Sequence, residues 1–171
     1  MFNLIADPIK DLTLSRVVEA PAAAIWKAWT TPELLEQWFC PHPYGAKVVQ
    51  MDLRPGGAFL VKILGPDGQV MEEAPGCYLE VIPHQRLTWT SGLLPGFRPL
   101  PAEGPQSKEL GFRFTAAITL ESLSLTTTRY TAHAMHGDEQ AARTHESMGF
   151  HEGWGIALDQ LLEVIRNERV S

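Results

Sequence analysis

The stretch SMGFHEGWGIALDQLL, residues 147–162, has the apolar spacing of a helix and yet contains three glycines, Gly149, Gly153 and Gly155. Each glycine inside a helix costs about 1 kcal/mol relative to alanine. At about 100° per residue, Trp154 marks the centre of an apolar stripe, and the glycines fall on its two flanks. The other members of the stripe are Phe150, Ala157, Leu158, Leu161 and Ile165.

Two explanations account for glycines beside an apolar stripe. Glycine lets a helix backbone lie directly against a sheet, or the missing side chains leave a hollow between the helix and the sheet. The residues alone favour neither explanation. Only the second gives the helix a function, because a hollow beside a tryptophan can hold a small molecule.

The order of the remaining patterns indicates what this helix packs against. Residues 11–20 alternate between apolar and polar and predict a first strand. Residues 21–30 and 31–39 predict two short helices, each with a proline at its start. A run of about six antiparallel strands follows, and then one continuous helix from about residue 137 to 169. Strands followed by a helix predict an α+β fold, in which a curved antiparallel sheet packs against the long C-terminal helix.

One segment interrupts the run of strands. Residues 92–110 are rich in proline and glycine and predict a long loop. Long loops in compact domains are often lids or binding loops, and this one could cover one mouth of a cavity. The 171 residues are enough for one domain, with a core at about 11–169.

Composition excludes several classes of function. The net charge of -6 argues against a broad basic surface for nucleic acid and against docking on anionic lipid. No apolar run is long enough to span a membrane, and the first residues lack the pattern of a signal peptide. The two cysteines, Cys40 and Cys77, lie far apart and are expected to be reduced thiols. We therefore expect a cytoplasmic protein without nucleic-acid or membrane partners.

Four segments resemble the Activator of Hsp90 ATPase homologue 1-like family. They read VEAPAAAIWKAWTTPELLEQWF, DLRPGGAFLV, GCYLEVIPHQRLTWT and TRYTAHAMHGDEQAARTHESMGFHEGWGIALDQL. This family belongs to the START-like (SRPBCC) superfamily of polyketide cyclases, lipid-transfer domains and Bet v 1-type proteins. The resemblance covers about residues 11–169 and implies the helix-grip fold. In that fold a curved antiparallel sheet of six to seven strands grips the long C-terminal helix, with two short helices after strand one and a hydrophobic cavity in between.

The resemblance implies less about activity than about fold. True co-chaperones of this type bind the chaperone through a separate N-terminal domain. The chain begins almost directly at the first predicted strand, so we expect that domain to be missing here. The family name then describes ancestry and not activity.

Aromatic residues occur on nearly every predicted element, and some of them are expected to line the cavity. For any single aromatic residue, a place in the plain core is the alternative. Tryptophan and tyrosine combine an apolar body with one polar group, which suits an apolar or amphipathic ligand. The candidate cavity residues are Trp38, Phe59, Tyr78, Trp89, Phe112, Phe114, Tyr130, His136, Gly149, His151, Gly153 and Trp154.

Histidines are the main candidates for chemistry. His136 shares one strand face with Tyr130, and His151 lies beside the apolar stripe, so both could reach the cavity. In a continuous helix His145 falls opposite the stripe and is expected to face solvent. Their spacing fits no tight metal site, and no nucleophile or nucleotide-binding motif is present, so neither a metal nor a cofactor is expected. Carboxylates near the strands, including Glu72, are expected mainly on the solvated face.

Three functions are compatible with these patterns. The first is a cytosolic START-like domain that binds a small, largely apolar ligand. The second is a cyclase- or hydratase-type enzyme that uses His136, His151 or an inward carboxylate as a general acid or base. The third is a stress-response or co-chaperone-like protein, which needs a large exposed apolar patch. No catalytic residue is assigned, and the residue patterns are compatible with either a monomer or a homodimer.

Overall fold

The computed structural model describes residues 3–101 and 112–170. It has the predicted α+β order, in which two short helices follow the first strand and helices end the chain after a run of strands. The elements are β1 (Asp11–Val18), α1 (Ala22–Thr30), α2 (Pro32–Leu35), β2 (Gly45–Met51), β3 (Phe59–Leu64), β4 (Val70–Ala74), β5 (Cys77–Ile82), β6 (Arg86–Thr90), β7 (Leu93–Leu94), β8 (Arg98–Pro99), β9 (Phe114–Ser122), β10 (Thr128–His136), α3 (Glu139–Ser147) and α4 (Phe150–Val170).

Eight of the ten described strands form one curved antiparallel surface from two hydrogen-bonded sheets. Five strands pair in the order β1-β10-β9-β6-β5, and three pair in the order β2-β3-β4. The two sheets meet where β3 passes β5. There the Phe59 N–H donates to the Gly76 carbonyl at 2.9 Å, and the Tyr78 N–H donates to the Gly57 carbonyl at 2.9 Å. The curved sheet and the long C-terminal helix make this a helix-grip fold.

The helix α4 buries its apolar stripe against the inner face of the sheet. Leu158 and Leu161 are fully buried, and they belong to the same core cluster as Ile118 of β9 and Ala132 of β10. Alternation with period two turns these strand residues inward, while the 3.6-residue period of α4 brings its leucines to one side. Trp29 of α1 joins the cluster from the end of the sheet that the short helices cover.

Two parts of the described chain differ from the predicted elements. The strand β4 was not predicted because its sequence, VMEEA, is short and has two adjacent glutamates. Among the described residues it pairs only with β3, at the edge of the sheet, where charges are tolerated. The predicted loop contains the small hairpin β7-β8, in which the Gly96 N–H donates to the Gly56 carbonyl at 2.7 Å. Residues 102–111 of that loop lie outside the described residues, so its role as a cover stays a prediction.

The prediction of one continuous C-terminal helix is wrong. The helix α3 ends at Ser147, and α4 begins at Phe150. Between them, Gly149 has a φ of +91°, a left-handed conformation that glycine adopts without steric cost. The segment Met148–Gly149 is thus a helix end of the type that glycine commonly makes, and not the middle of a helix. Residues before Gly149 therefore do not follow the helical wheel of α4.

In the part of the chain that the structure describes, none of the helices combines the length and apolar character needed to cross a membrane. Both thiols, Cys40 and Cys77, are free and buried.

Candidate ligand-binding cavity

A cavity of about 380 Å³ lies between α4, the short helices and the inner face of the curved sheet. This volume is within the range of small-molecule sites, which are mostly apolar with a few polar groups. The lining consists of Trp29, Trp38, Phe39, Pro41, Phe59, Val61, Ile63, Glu72, Ala74, Pro75, Trp89, Ser91, Phe112, Phe114, Tyr130, His145, Met148, Gly149, Phe150, Gly153, Trp154, Ala157 and Leu158.

One wall of the cavity is a cluster of aromatic rings. The ring centroid of Trp29 lies 4.7 Å from that of Trp38 and 5.2 Å from that of Trp89. Phe59 meets Trp89 edge to face at 5.4 Å. Edge-to-face and tilted packing of this kind adds about 0.5–1.5 kcal/mol per pair beyond area burial, so this wall is held in place before any ligand arrives.

The three glycines of residues 147–162 have three different roles. A Cβ atom on Gly153 would approach only Pro41, at 4.0 Å, and one on Gly149 would meet nothing within 4 Å. Close packing therefore does not require glycine at either position, and both positions line the cavity. Gly149 is required by its backbone conformation, whereas Gly153 leaves space. Gly155 does not line the cavity, and its carbonyl accepts a hydrogen bond from Arg16 at 3.0 Å.

Gln160 of α4 fixes the segment that forms the opposite side of the cavity. Its amide Nε2 donates to the backbone carbonyls of Trp38 at 3.0 Å and Cys40 at 2.8 Å. Its Oε1 accepts from the His42 N–H at 2.9 Å. These three bonds hold Pro41 across from Gly153. This role of Gln160 has no sequence signal, because a glutamine on a helix does not indicate a backbone partner about 120 residues away.

The structure brings most of the candidate cavity residues together. Nine line the cavity: Trp38, Phe59, Trp89, Phe112, Phe114, Tyr130, Gly149, Gly153 and Trp154. Tyr78, His136 and His151 do not line it.

Each of these three exceptions has a physical reason. Tyr78 is fully buried behind Phe59, whose ring stacks on it at 5.1 Å. His136 lies behind His145, which separates it from the cavity. His151 is exposed, because the first turn of α4 directs Phe150 and not its neighbour toward the sheet.

The expectation that His145 faces solvent is also wrong, because the helix break at Gly149 changes its direction. The His145 side chain is buried, lines the cavity and contacts the rings of Phe112 and Phe114, each at a centroid distance of 4.9 Å. Gly149 is itself a sequence signal for a helix end, because glycine commonly follows the last helical residue. A helix that ends there gives no reason to place His145 opposite the apolar stripe of α4.

His145 and His136 form a directly hydrogen-bonded pair. The Nδ1 atom of His136 lies 2.8 Å from the Lys10 carbonyl oxygen, which can only accept, so Nδ1 of His136 carries a proton. In a neutral ring, Nε2 of His136 is then an acceptor, and it lies 2.8 Å from Nδ1 of His145. It follows that Nδ1 of His145 donates and that Nε2 of His145 keeps a lone pair. No described residue hydrogen-bonds to that Nε2.

Burial and, to a smaller extent, the neighbouring His136 together lower the pKa of His145 from 6.5 to about 4. His145 is therefore neutral at pH 7, as its hydrogen bonds require. By contrast, His133 lies on the other face of β10, where its Nε2 pairs with Asp11 at 2.8 Å. The described residues contain no group of three or more His, Cys, Asp or Glu side chains that could hold a metal ion.

A few other polar groups reach the cavity. Glu72 of β4 lines it, contrary to the expectation that the strand carboxylates lie mainly on the solvated face. The Trp29 indole N–H is buried beside Tyr130 and has no other hydrogen-bond partner among the described residues, and burial raises the pKa of Tyr130. The Ser91 hydroxyl is already bonded to the backbone of Phe114. Among the described residues, no lysine or arginine lines the cavity.

The family follows from the sequence match. The model of the family described as "Activator of Hsp90 ATPase homolog 1-like protein" matches residues 19–166. The chain belongs to this family. Its fold places it in the START-like superfamily, as the residue pattern implied. Among proteins of curated function, none matches the chain.

Solved structures share the fold over almost the whole chain. Protein NE0264 from Nitrosomonas europaea is 39% identical, with a TM-score of 0.85 over 97% of this chain and 100% of that chain. A protein from Arthrobacter aurescens is 21% identical, with a TM-score of 0.76 over 93% of this chain and 87% of its own. A protein from Mycobacterium smegmatis is 26% identical, with a TM-score of 0.67 over 90% of this chain and 88% of its own. A ligand-binding domain, in general terms, is compatible with this fold.

Proposed function

We propose that the protein binds a small, largely apolar molecule in the cavity between α4 and the curved sheet. One observation carries the proposal: an aromatic cavity of about 380 Å³ is left open beside Gly153, where a side chain would fit without a clash. A concave site of this size with mostly apolar and aromatic walls has the usual form of a small-molecule site.

The geometry also supports how the occupant is held. The rings of Trp29, Trp38 and Trp89 already pack on one another, so binding orders few side chains. Preorganised walls lower the entropic cost of binding, and apolar area contributes about 25 cal/mol per Å² removed from water. We place the protein in the cytoplasm, which the two free, buried thiols and the net charge of -6 support.

An enzyme is the second candidate, and the histidine pair favours it. The cyclase- or hydratase-type hypothesis required a titratable side chain in the cavity within reach of a second polar group. His145 meets the first condition and His136 the second. A proton taken at Nε2 of His145 can be balanced by transfer of its Nδ1 proton to His136, so the pair suits general-base catalysis. The co-chaperone-like alternative rests on the family resemblance alone and is not proposed.

Titration with naphthalene tests the binding function, and quenching of tryptophan fluorescence provides the signal. Four of the five tryptophans line the cavity, so a bound aromatic molecule must change their emission. Saturable quenching in the wild type supports the proposal, and a linear response without saturation contradicts it. Native mass spectrometry of protein from its own host then identifies any retained molecule.

The enzyme candidate has its own test. The probe is 2-tetralone, a compact ketone with acidic C–H bonds, incubated with the protein in D₂O. Proton NMR follows the exchange of its α-protons. Exchange that is faster than in buffer and is lost in His145→Gln supports catalysis, and exchange at the buffer rate argues against it.

A further inference from the structure

One polar atom of the cavity, Nε2 of His145, has its orientation set by a chain of hydrogen bonds. Nδ1 of His145 faces His136, which lies outside the lining, and Nε2 is on the other side of the ring. The ring itself is enclosed by Phe112, Phe114 and Trp154, all of which line the cavity. Nε2 therefore presents its lone pair toward the cavity, although the His145 side chain as a whole is more than nine-tenths buried.

The hydrogen bonds of His145 and His136 determine that Nε2 of His145 is an acceptor and not a donor. The Lys10 carbonyl oxygen accepts from His136, so with both rings neutral His136 accepts from His145. His145 consequently cannot turn its protonated nitrogen toward the cavity without losing the bond to His136. A ligand donor that replaces water at this acceptor keeps its hydrogen bond, whereas an apolar ligand group there would leave the acceptor unpaired at a cost in free energy.

The described lining offers no cation to an anionic ligand, since no lysine or arginine lies among the described lining residues. A ligand carboxylate would meet a lone pair at His145 without a cation of the described lining to balance its charge. A neutral hydroxyl or amide N–H matches the same site.

From these contacts we infer that the ligand is a neutral, largely apolar molecule with one O–H or N–H group, an alcohol or a phenol by class, that donates to Nε2 of His145. This inference rests on the proposed binding function and adds to it the chemistry of the ligand's polar end. His136 acts as a positioning residue, since it holds the ring of His145 in one orientation. Fatty-acid-like carboxylates are predicted to be poor ligands.

Three probes of one shape test this inference: naphthalene, 2-naphthol and 2-naphthoate at pH 7.5. In the wild type, 2-naphthol should bind about tenfold more tightly than naphthalene, and 2-naphthoate should bind more weakly than either. His145→Phe should remove the tenfold preference, measured as the ratio of the naphthalene and 2-naphthol Kd values of the same variant. His151→Phe, which changes an exposed histidine of the same helix region, is the matched control and should behave as the wild type.

The outcomes separate the two proposals. Tightest binding of 2-naphthoate, or a 2-naphthol preference that survives in His145→Phe, overturns the inference about the ligand while the binding function stands. No saturable binding of any probe contradicts the binding function and the inference together. If His145→Phe does not fold, ¹⁵N NMR of the wild-type imidazoles decides instead. The Nε2 signal of His145 should move with 2-naphthol and not with naphthalene, and equal movement with both overturns the inference.

Discussion

Replacement of Gly153 by leucine separates space from packing as the reason for a glycine in α4. The residue lies in the first turns of α4 and lines the cavity, and a Cβ atom there would meet only Pro41 at 4.0 Å. That distance is an ordinary van der Waals contact. The Cβ atom of a leucine therefore fits without moving the backbone, and we expect the rest of the side chain to extend into the cavity that Gly153 lines.

The expected magnitudes follow from this geometry. Leucine is a better helix former than glycine by up to about 1 kcal/mol, which raises Tm by roughly 2–4 °C in a domain of this size. The added side chain has four carbon atoms. If each takes about the 30 Å³ that a water molecule occupies in the liquid, together they fill on the order of 120 Å³. This is roughly a third of the cavity volume of about 380 Å³.

The assay is naphthalene binding, measured beside thermal unfolding. We expect Gly153→Leu to keep or raise Tm and to weaken binding about tenfold or more, which corresponds to about 1.4 kcal/mol. Gly155→Leu is the matched control, because Gly155 lies in the same helix and meets nothing within 4 Å but does not line the cavity. If Gly153→Leu unfolds while Gly155→Leu stays folded, close packing and not space for a ligand explains the glycine at position 153. Unchanged binding in Gly153→Leu would exclude this cavity as the site.

Three further predictions concern side chains around the cavity. Between pH 6.5 and about 4, His145 is protonated in the unfolded chain and neutral in the folded one, so the free energy of unfolding falls as pH decreases. The decrease in the free energy of unfolding, allowing for partial screening by solvent, is about 2 kcal/mol. Denaturant unfolding should show this decrease in the wild type, and in His145→Gln the decrease should be smaller by about the same amount. Gln160→Ala removes three hydrogen bonds to the segment beside α4 and should lower stability by about 2 kcal/mol, whereas an unchanged denaturation midpoint would contradict this role. Burial, and Glu72 to a smaller extent, raise the pKa of Cys40 from 9.0 to about 11. Alkylation of Cys40 by iodoacetamide at pH 8 should therefore be about a hundredfold slower than in the unfolded chain. Peptide mass spectrometry measures both rates, and equal rates would contradict the raised pKa.

The fold could be predicted because its strands and its last helix have strong periodicities. In β9 and β10 alternation places Ile118 and Tyr130 inward, and the stripe around Trp154 identifies the helix that packs on them. The strand β4 could not be found in this way. Its two glutamates and its edge position give it no apolar alternation, and only its pairing with β3 makes it a strand.

The candidate site could be predicted in part, because aromatic residues on inward faces tend to line whatever space remains. Its polar centre could not, since His145 reaches the cavity only through the helix end at Gly149. The pairing of His145 with His136 joins a helix to a strand end, and the support from Lys10 comes from the opposite end of the chain. Contacts of this kind depend on the assembled fold and leave no local pattern in the sequence.

The tryptophan indole N–H groups provide the most direct test of the cavity as a ligand site. Trp29, Trp38, Trp89 and Trp154 line the cavity, while Trp26 does not. In ¹H–¹⁵N spectra recorded during titration with naphthalene, the account predicts saturable shifts for those four signals and an unchanged signal for Trp26. A shift of Trp26 alone, or no saturable shift at any indole, would contradict it.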